Sequence, residues 1–420
     1  MTNTAIERVS ALEIVDCRLE PTLRVTVRTE GGASGTADVP CGRSTGSNEA
    51  LERRDGGERF GGKGVEEAVE TVDSEIEPEL AGREVTDQRA IDRALVELDG
   101  TDDRSRLGAN TTTGVSLAVA VAAADAVGLP LYRYLGRADV GRLPMPLFDV
   151  IEGGELAESG LAFQEHQLIP VGADSFSEAL RMSAETYATL GDLLAERYDA
   201  RSRNVGVEGG YTPPLSDPRD AFDAALEAAD RAGYGGEFAL GIDAAATHFY
   251  DERTGTYTVL DEPFDRGELV GFYEDLVDTY PLVSIEDPLT ETDFEGTAEL
   301  TGSVAAQIVG DDLFTTNSGR LRRGIEQGAG DALLLKVNQI GTLTEALEAA
   351  DLARRNGYDV QVSERSGQTP DTWLAELAVG LSATQIKTGV TRGERTEQYN
   401  RLLEIEAERD AAGALAKPSW

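Results

Sequence analysis

Short apolar runs, each ending in a charged residue, recur along the last two thirds of the chain. Examples are FALGID, YPLVSIED, LLLK and QIK. The charged residues at their ends are Asp243, Glu286, Asp311, Lys336, Glu364 with Arg365, and Lys387. From Glu286 onward they recur at intervals of 25, 25, 28 and 23 residues. That interval is the length of one strand followed by one helix.

Continuously apolar strands that alternate with helices predict a parallel sheet buried on both faces. In a (β/α)8 barrel the catalytic groups gather at the carboxyl ends of the strands. Each charge could instead simply end its strand in solvent, but six charges at a common phase favour a shared site. We therefore predict an α/β fold with a barrel over residues 138–420.

The first 137 residues show a different pattern and predict an α+β domain that caps the barrel. The segment LRVTVRT alternates like a strand, and Gly31-Gly32 turns it back. The predicted strand covers residues 23–29. The predicted helices cover residues 47–55, 65–80, 87–98 and 113–135.

Composition narrows the classes of function. The 420 residues suffice for two domains, and no apolar run is typical of a membrane span or a signal peptide. The net charge of −39 comes from 77 dispersed acidic residues, a pattern that repels nucleic acid and anionic membranes. Scarce lysine is typical of salt-accumulating halophiles, although a GC-rich genome is an alternative. We expect a cytoplasmic protein without nucleic-acid or membrane partners.

Two of the four lysines lie in the most apolar surroundings of the chain. Lys336 follows LLL, and Lys387 lies in QIKTG. Burial disfavours the charged ammonium and lowers its pKa. Such a lysine can serve as a proton-abstracting base or as a fixed cation beside an anionic substrate. The alternative is that both side chains extend from strand ends into solvent.

Three carboxylates are expected to converge at the barrel mouth. Asp243, Glu286 and Asp311 come from three strands and would repel one another without a hard cation such as Mg²⁺. Lys336 and Lys387, on later strands, would face that ion. Mg²⁺ bound to a substrate carboxylate would stabilise the enediolate that forms when the neighbouring carbon loses its proton, with lysine as the base.

Longer segments carry a specific resemblance. They are CGRSTGSNEALERRDG, LGANTTTGVSLAVA, FQEHQLIPVGADSFSEALRM, VEGGYTPPLSD, SIEDPL, GDDLFTTN, KVNQIGTLTEALEA and SERSGQTPDT. In this order, over nearly the whole length, they resemble the enolases, the glycolytic phosphopyruvate hydratases. The resemblance implies a barrel whose first elements run ββαα and a mobile loop at residues 41–48. It also implies a homodimer or octamer and a small phosphorylated carboxylate substrate.

The resemblance also implies roles for individual residues. The base for the C2 proton of 2-phosphoglycerate would be Lys336, and Glu208 and Glu165, with Gln164 beside them, would assist departure of the C3 hydroxyl. The phosphate would be bound by Arg365 and Ser366, and the substrate carboxylate by Lys387. The first Mg²⁺ would be held by Asp243, Glu286 and Asp311, and a second by Ser44 together with the substrate.

Several positions depart from the family pattern. Leu156 and Glu364 stand in place of two family histidines, Val207 in place of an aspartate, and Glu152 in place of an asparagine. Arg43 replaces an alanine of the loop. Glu364, still expected to contact substrate, could neutralise or repel its neighbours, bind a metal, or donate a proton if its pKa is raised.

Three hypotheses follow. The first is an enolase with a modified leaving-group site. The second is a paralogue that removes the same proton from another hydroxy acid. The third is a non-catalytic metal-binding or structural homologue, which the retention of two buried lysines argues against.

Overall fold

The computed structural model describes residues 3–43, 45–136, 142–157, 159–409 and 414–420. The strands are β1 Ile6–Val15, β2 Pro21–Thr29, β3 Ser34–Asp38, β4 Met145–Glu152, β5 Glu165–Ile169, β6 Ala239–Asp243, β7 Tyr250–Asp251, β8 Thr256–Val259, β9 Glu262–Phe264, β10 Leu282–Glu286, β11 Gln307–Gly310, β12 Ala332–Leu335, β13 Asp359–Ser363 and β14 Gln385–Lys387. The α-helices are α1 Glu66–Thr71, α2 Glu77–Leu80, α3 Gln88–Asp99, α4 Ala109–Val127, α5 Leu131–Leu135, α6 Phe176–Arg197, α7 Pro218–Arg231, α8 Arg266–Thr279, α9 Phe294–Ser303, α10 Ser318–Gln327, α11 Val337–Ile340, α12 Leu343–Arg355, α13 Trp373–Gly380 and α14 Gly393–Glu408.

The amino-terminal part combines the antiparallel sheet β1–β2–β3 with helices α1–α5. Strand β2 alternates buried and partly exposed residues, as its sequence predicts. The alanine-rich α4 packs on β2 and β3 and is buried along most of its length. Gly35 permits this approach, because a Cβ atom there would lie 2.1 Å from the backbone nitrogen of Ala122. The small residues of α4 thus reflect close helix–sheet packing.

The predicted helix at residues 47–55 is wrong. The backbone N–H of Ala50 donates to the carbonyl of Gln339 at 2.8 Å, and that of Leu51 to the carbonyl of Asp103 at 2.7 Å. Donors that bind distant parts of the chain cannot also form the i to i−4 bonds of a helix. The segment is therefore an extended loop that is held by its hydrogen bonds to these distant residues. The other predicted helices are present, although the last one is divided between α4 and α5.

The second part forms a closed eight-stranded barrel in the order β4, β5, β6, β10, β11, β12, β13, β14. Strand β5 is antiparallel to both of its neighbours, and every other neighbouring pair is parallel. Helices α6 and α7 follow β5 and precede β6. The predicted α/β barrel and its ββαα start are therefore confirmed.

The cap meets the carboxyl end of the barrel. Cys41 and Gly367 exchange two backbone hydrogen bonds of 3.0 and 2.8 Å, and the Asn338 amide donates to the Pro40 carbonyl at 3.2 Å. These contacts hold one end of the 41–48 loop against the barrel. The predicted domain boundary at residues 137 and 138 lies outside the described residues. Within the described ranges, the helices are too short or too polar to cross a membrane.

Candidate active site

The predicted strand-end residues all lie at the carboxyl end of the barrel. Asp243, Glu286 and Lys387 end strands β6, β10 and β14, whereas Asp311, Lys336 and Glu364 directly follow β11, β12 and β13. In the strand register Asp243 is paired with Glu286 on one side and with Glu165 of β5 on the other. Parallel pairing with β10 and antiparallel pairing with β5 therefore bring together side chains that are far apart in sequence.

A cavity of about 20 Å³ lies between these side chains. That volume admits about one water molecule. The lining residues are Gln164, Glu165, Glu208, Asp243, Lys336, Ser363, Glu364, Arg365, Ser366 and Lys387. Nine of the twelve residues predicted for the site thus line one cavity.

Lys387 bridges three carboxylates. Its Nζ lies 2.6 Å from Glu286 Oε2, 3.0 Å from Glu165 Oε1 and 3.2 Å from Asp243 Oδ2. Burial acts to lower its pKa, but these carboxylates raise the pKa of Lys387 well above its ordinary value. The Gln164 amide also donates to Asp243 Oδ2 at 3.2 Å. Lys387 is therefore a fixed cation in this arrangement.

Lys336 pairs with one carboxylate among the described residues. Its Nζ lies 2.5 Å from Asp311 Oδ2, while the Gln339 amide donates to Asp311 Oδ1 at 2.7 Å. The Thr316 hydroxyl donates to Gln339 Oε1 and accepts from the Lys336 backbone N–H. Burial acts to lower the pKa of Lys336, yet Asp311 raises it above the ordinary value. The predicted net lowering of the lysine pKa values is wrong. At both lysines the neighbouring carboxylates raise the pKa by more than burial lowers it.

The carboxylates that end β6 and β10 and follow β11 suit a hard cation. Asp243, Glu286 and Asp311 offer the oxygen donors that Mg²⁺ prefers. Glu286 Oε1 is buried and has no hydrogen-bond partner among the described residues. Such an orphaned oxygen beside further carboxylates fits a divalent cation. The close group that contains Asp311 in this structure is a different one, since one oxygen each from Asp287, Asp311 and Asp312 lie within 4.8 Å of one another.

A further carboxylate group lies on the β4–β5 side of the cavity. One oxygen each from Asp149, Glu165 and Glu208 lie within 4.8 Å of one another. Burial, together with the Glu208 and Asp243 charges and against the pull of Lys387, raises the pKa of Glu165 to about 7. Burial and the Glu208 charge raise the pKa of Glu152 to about 8. This side of the cavity can therefore hold protons at neutral pH.

Asp149 was missed by the sequence reasoning. It is fully buried, and neither carboxylate oxygen has a hydrogen-bond partner among the described residues. Burial and the charges of Glu165 and Glu152 raise its pKa well above the ordinary value. The available signal was an acidic residue inside the apolar run PLFDVI, where a charge is costly.

Glu364 pairs with a residue that the sequence did not suggest. Its carboxylate contacts the guanidinium of Arg395 in α14, and both side chains are at most 1% exposed. Burial raises the pKa of Glu364, and Arg395 is the main opposing influence. Arg395 also donates to the carbonyls of Arg365, Ser366 and Val207 at 3.1 to 3.3 Å. The pair therefore fixes the backbone on two sides of the cavity.

Arg365 is neutralised by Glu49 of the cap and not by the adjacent Glu364. The two guanidinium nitrogens of Arg365 lie 2.8 and 3.1 Å from the two Glu49 oxygens, with both side chains buried. Glu49 Oε1 also accepts from the Gly46 N–H at 3.1 Å. The Ser366 hydroxyl accepts from the Arg43 backbone N–H at 2.8 Å. The predicted phosphate-binding pair is thus tied to the loop at residues 41–48.

Three of the replaced family positions, Leu156, Val207 and Arg43, lie in the wall of one cavity. Leu156 is 3% exposed, and it lines, together with Val207, a second cavity of about 710 Å³. Arg43 and Arg392 line the same cavity. His166, in contrast, is buried among Phe163 and other aromatic rings away from this wall, and burial lowers its pKa to about 4.

Ser44, the residue predicted for a second metal ion, lies outside the described residues. Gln164, Glu208 and Ser366 lie at the cavity as expected. The roles assigned to all the site residues stay predictions, since their positions alone do not demonstrate them.

Known proteins share both parts of the chain. Residues 6–135 match the family profile described as "Enolase, N-terminal domain", and residues 141–417 match "Enolase, C-terminal TIM barrel domain". Curated proteins named Enolase are similar over nearly the full length. The Methanopyrus kandleri protein is 56% identical over 414 residues, which cover 97% of this chain and 96% of that protein. Those of Thermococcus gammatolerans and Pyrococcus furiosus are 53% and 52% identical, covering 96% and 97% of this chain and 95% and 96% of theirs. The chain therefore belongs to the enolase family.

Proposed function

We propose that this chain is a Mg²⁺-dependent lyase that dehydrates 2-phosphoglycerate to phosphoenolpyruvate. The observation that carries the proposal is a pair of lysines, the buried Lys387 and the partly buried Lys336. They contact carboxylates on strands β5, β6 and β10 and the carboxylate that follows β11. The identity with curated enolases over nearly the whole chain supports the same chemistry.

The metal would be held by Asp243, Glu286 and Asp311. When bound, Mg²⁺ supplies charge stabilisation to a substrate carboxylate whose neighbouring carbon loses a proton. Lys336 can accept the C2 proton only as a free amine, so its contact with Asp311 has to loosen first. Lys387 is suited to pair with the substrate carboxylate, since its ammonium group is held in its charged form.

Departure of the C3 hydroxyl requires a proton donor on the opposite side of the cavity. Glu165, with a pKa of about 7, can hold and deliver a proton at neutral pH. Glu208 lies within the same carboxylate group as Glu165. Gln164, which precedes Glu165 in the chain, donates a hydrogen bond to Asp243. Arg365 and Ser366 would bind the phosphoryl group, since a guanidinium fork matches its oxygens.

We further propose a second Mg²⁺ that binds with the substrate near Ser44, and assembly as a homodimer or octamer. We also propose a cytoplasmic protein adapted to a salt-rich interior. The net charge of −39 supports the last point, because a densely acidic surface stays hydrated and dispersed in molar salt.

The test is the absorbance rise of phosphoenolpyruvate from 2-phosphoglycerate in molar KCl, with and without Mg²⁺. We expect Mg²⁺-dependent turnover that Lys336→Ala abolishes. Lys63→Ala is the matched control, because the Lys63 side chain is 54% exposed and pairs with Glu20 at the surface. No turnover by a folded wild type that binds Mg²⁺ would refute the proposal.

A second candidate is removal of the same C2 proton from a different hydroxy acid. The wall containing Leu156 and Val207, with the buried Glu364–Arg395 pair nearby, favours it, because two apolar side chains and an internal ion pair stand where the family pattern has an aspartate and two histidines. Deuterium exchange at C2, followed by NMR over phosphorylated and plain hydroxy acids, tests this candidate. Exchange only with 2-phosphoglycerate would exclude it.

A further inference from the structure

The cavity of about 710 Å³ described above has the size of a ligand site, whereas the central cavity of about 20 Å³ does not. Small-molecule sites typically span about 300–1,000 Å³. The two cavities adjoin. Val207 lines the larger one and Glu208 the smaller, and the Arg43 backbone binds the hydroxyl of Ser366. An incoming substrate therefore has room beside the catalytic groups before it reaches them.

Two arginines line this larger cavity. The side chains of Arg43 and Arg392 form no ion pair with a carboxylate among the described residues, although the chain carries 77 acidic residues. The Arg392 guanidinium donates to the Val207 carbonyl at 2.9 Å, which anchors it to the segment that carries Glu208. One acidic side chain, Glu155, also lines the cavity. The balance of charge still favours an anion.

The backbone conformation of Arg392 indicates that its side chain has a function. Its φ of 79° and ψ of 153° lie in a region that is essentially restricted to glycine. Such conformations persist where the surroundings impose them, and they cluster at ligand sites. Glycine would fit this position with less strain, so an arginine there calls for a role of its guanidinium group.

The inner phosphate-binding residue is engaged by the protein itself. Glu49 occupies the guanidinium fork of Arg365 with two contacts. A phosphoryl group entering the site has to compete with this buried carboxylate. Among the described residues Arg43 and Arg392 form no ion pair with a carboxylate, and both are exposed.

We propose that Arg43 and Arg392 form an anion-binding vestibule that receives the phosphoryl group of the substrate before Arg365 does. The proposal rests on the proposed function for the identity of the substrate, but the anion site itself does not depend on turnover. Phosphate oxygens match two guanidinium groups, whereas Leu156 and Val207 supply the apolar floor of the cavity.

Calorimetric titration of the full-length protein with inorganic phosphate in molar KCl tests the anion site. Arg43→Ala and Arg392→Ala are each expected to weaken binding about fivefold, a moderate effect for exposed charged groups. The matched control is Arg253→Ala, an exposed arginine that pairs with Asp251 on the β7–β8 hairpin. Unchanged phosphate affinity in both vestibule variants, or loss only in Arg365→Gln, would overturn the proposal.

Steady-state kinetics separate the source of the anion. The KM for 2-phosphoglycerate is expected to rise about fivefold in each vestibule variant with little change in kcat, and inorganic phosphate is expected to compete with the substrate. Phosphate that binds without competing would overturn the substrate assignment. If the wild type does not turn over 2-phosphoglycerate, the proposed function fails, and the titration alone still decides the vestibule.

Arg392→Gly distinguishes ligand binding from a structural role. Glycine relieves the backbone conformation, so the melting temperature is expected to stay constant or to rise while phosphate affinity falls. A fall in melting temperature with unchanged phosphate affinity would show that Arg392 serves the fold only.

Discussion

Substitution of Glu364 by glutamine tests the buried pair that replaces a family histidine. The change keeps the shape of the side chain but removes the nearest opposite charge from the completely buried Arg395, which keeps the carboxylate of Glu394 at 3.8 Å. Breaking a buried ion pair by removing one partner costs about 3–5 kcal/mol. Arg395 keeps three backbone carbonyl acceptors, so we expect the lower end, about 3 kcal/mol. For 420 residues, an unfolding entropy of about 2.1 cal/mol/K per residue converts this to a fall in Tm of about 3 °C.

The assay is differential scanning calorimetry of wild type and Glu364→Gln in the same molar KCl buffer. The matched control is Glu348→Gln, which removes a charge from the exposed pair with Arg89, whose side chains are 50% and 66% exposed. An exposed pair contributes about 0–1 kcal/mol, so the control should lower Tm by about 1 °C or less. Equal Tm values for the two variants would refute the reasoning, since Arg395 would then need no charged partner.

Three further predictions concern pH, the cap and the phosphate clamp. In EDTA, Tm should fall between about pH 4.5 and 8, because Glu165 and Glu152 have folded-state pKa values of about 7 and 8 against an ordinary 4.5. Their protonated forms contribute stability that is fully present below pH 4.5 and is lost as pH rises through 7 and 8, so a flat calorimetric profile would contradict this. Glu49→Gln should strengthen inorganic phosphate binding about fivefold in the same titration, because the anion no longer competes with an internal carboxylate; unchanged affinity would argue against that competition. Gly35→Ala should lower the free energy of unfolding by about 3 kcal/mol, since its Cβ would overlap the backbone of α4, whereas Gly302→Ala has open space and should be neutral in urea unfolding; equal effects would contradict the packing argument.

Much of the architecture could be predicted from periodicity. Six of the eight barrel strands, β6 and β10 to β14, are short apolar runs with a charged residue at or directly after the end, so their spacing and those charged residues are visible in the chain. Asp243, Glu286 and Lys387 were placed together for this reason, since the carboxyl ends of parallel strands meet at one rim. Asp149 was missed because it lies inside a strand and not at its end.

Predictions from the local sequence pattern were wrong where contacts between distant residues determine the structure. Residues 47–55 read as a helix, but their backbone donors bind Gln339 and Asp103. The predicted direction of the Lys336 pKa shift was also wrong. The apolar sequence around Lys336 indicated burial, but it did not show that the Asp311 carboxylate would contact the lysine.

The sequence by itself determined the family, the barrel and the set of side chains at its rim. Only the tertiary structure decided which of these charges pair: Glu364 with Arg395, and Arg365 with Glu49 from the cap. The physical reason is that strand periodicity determines which residues lie at the rim of the barrel. Which charges pair depends instead on distances of a few ångströms between residues that are far apart in sequence. Those distances are set by how the cap, the loops and the last helix pack over the barrel.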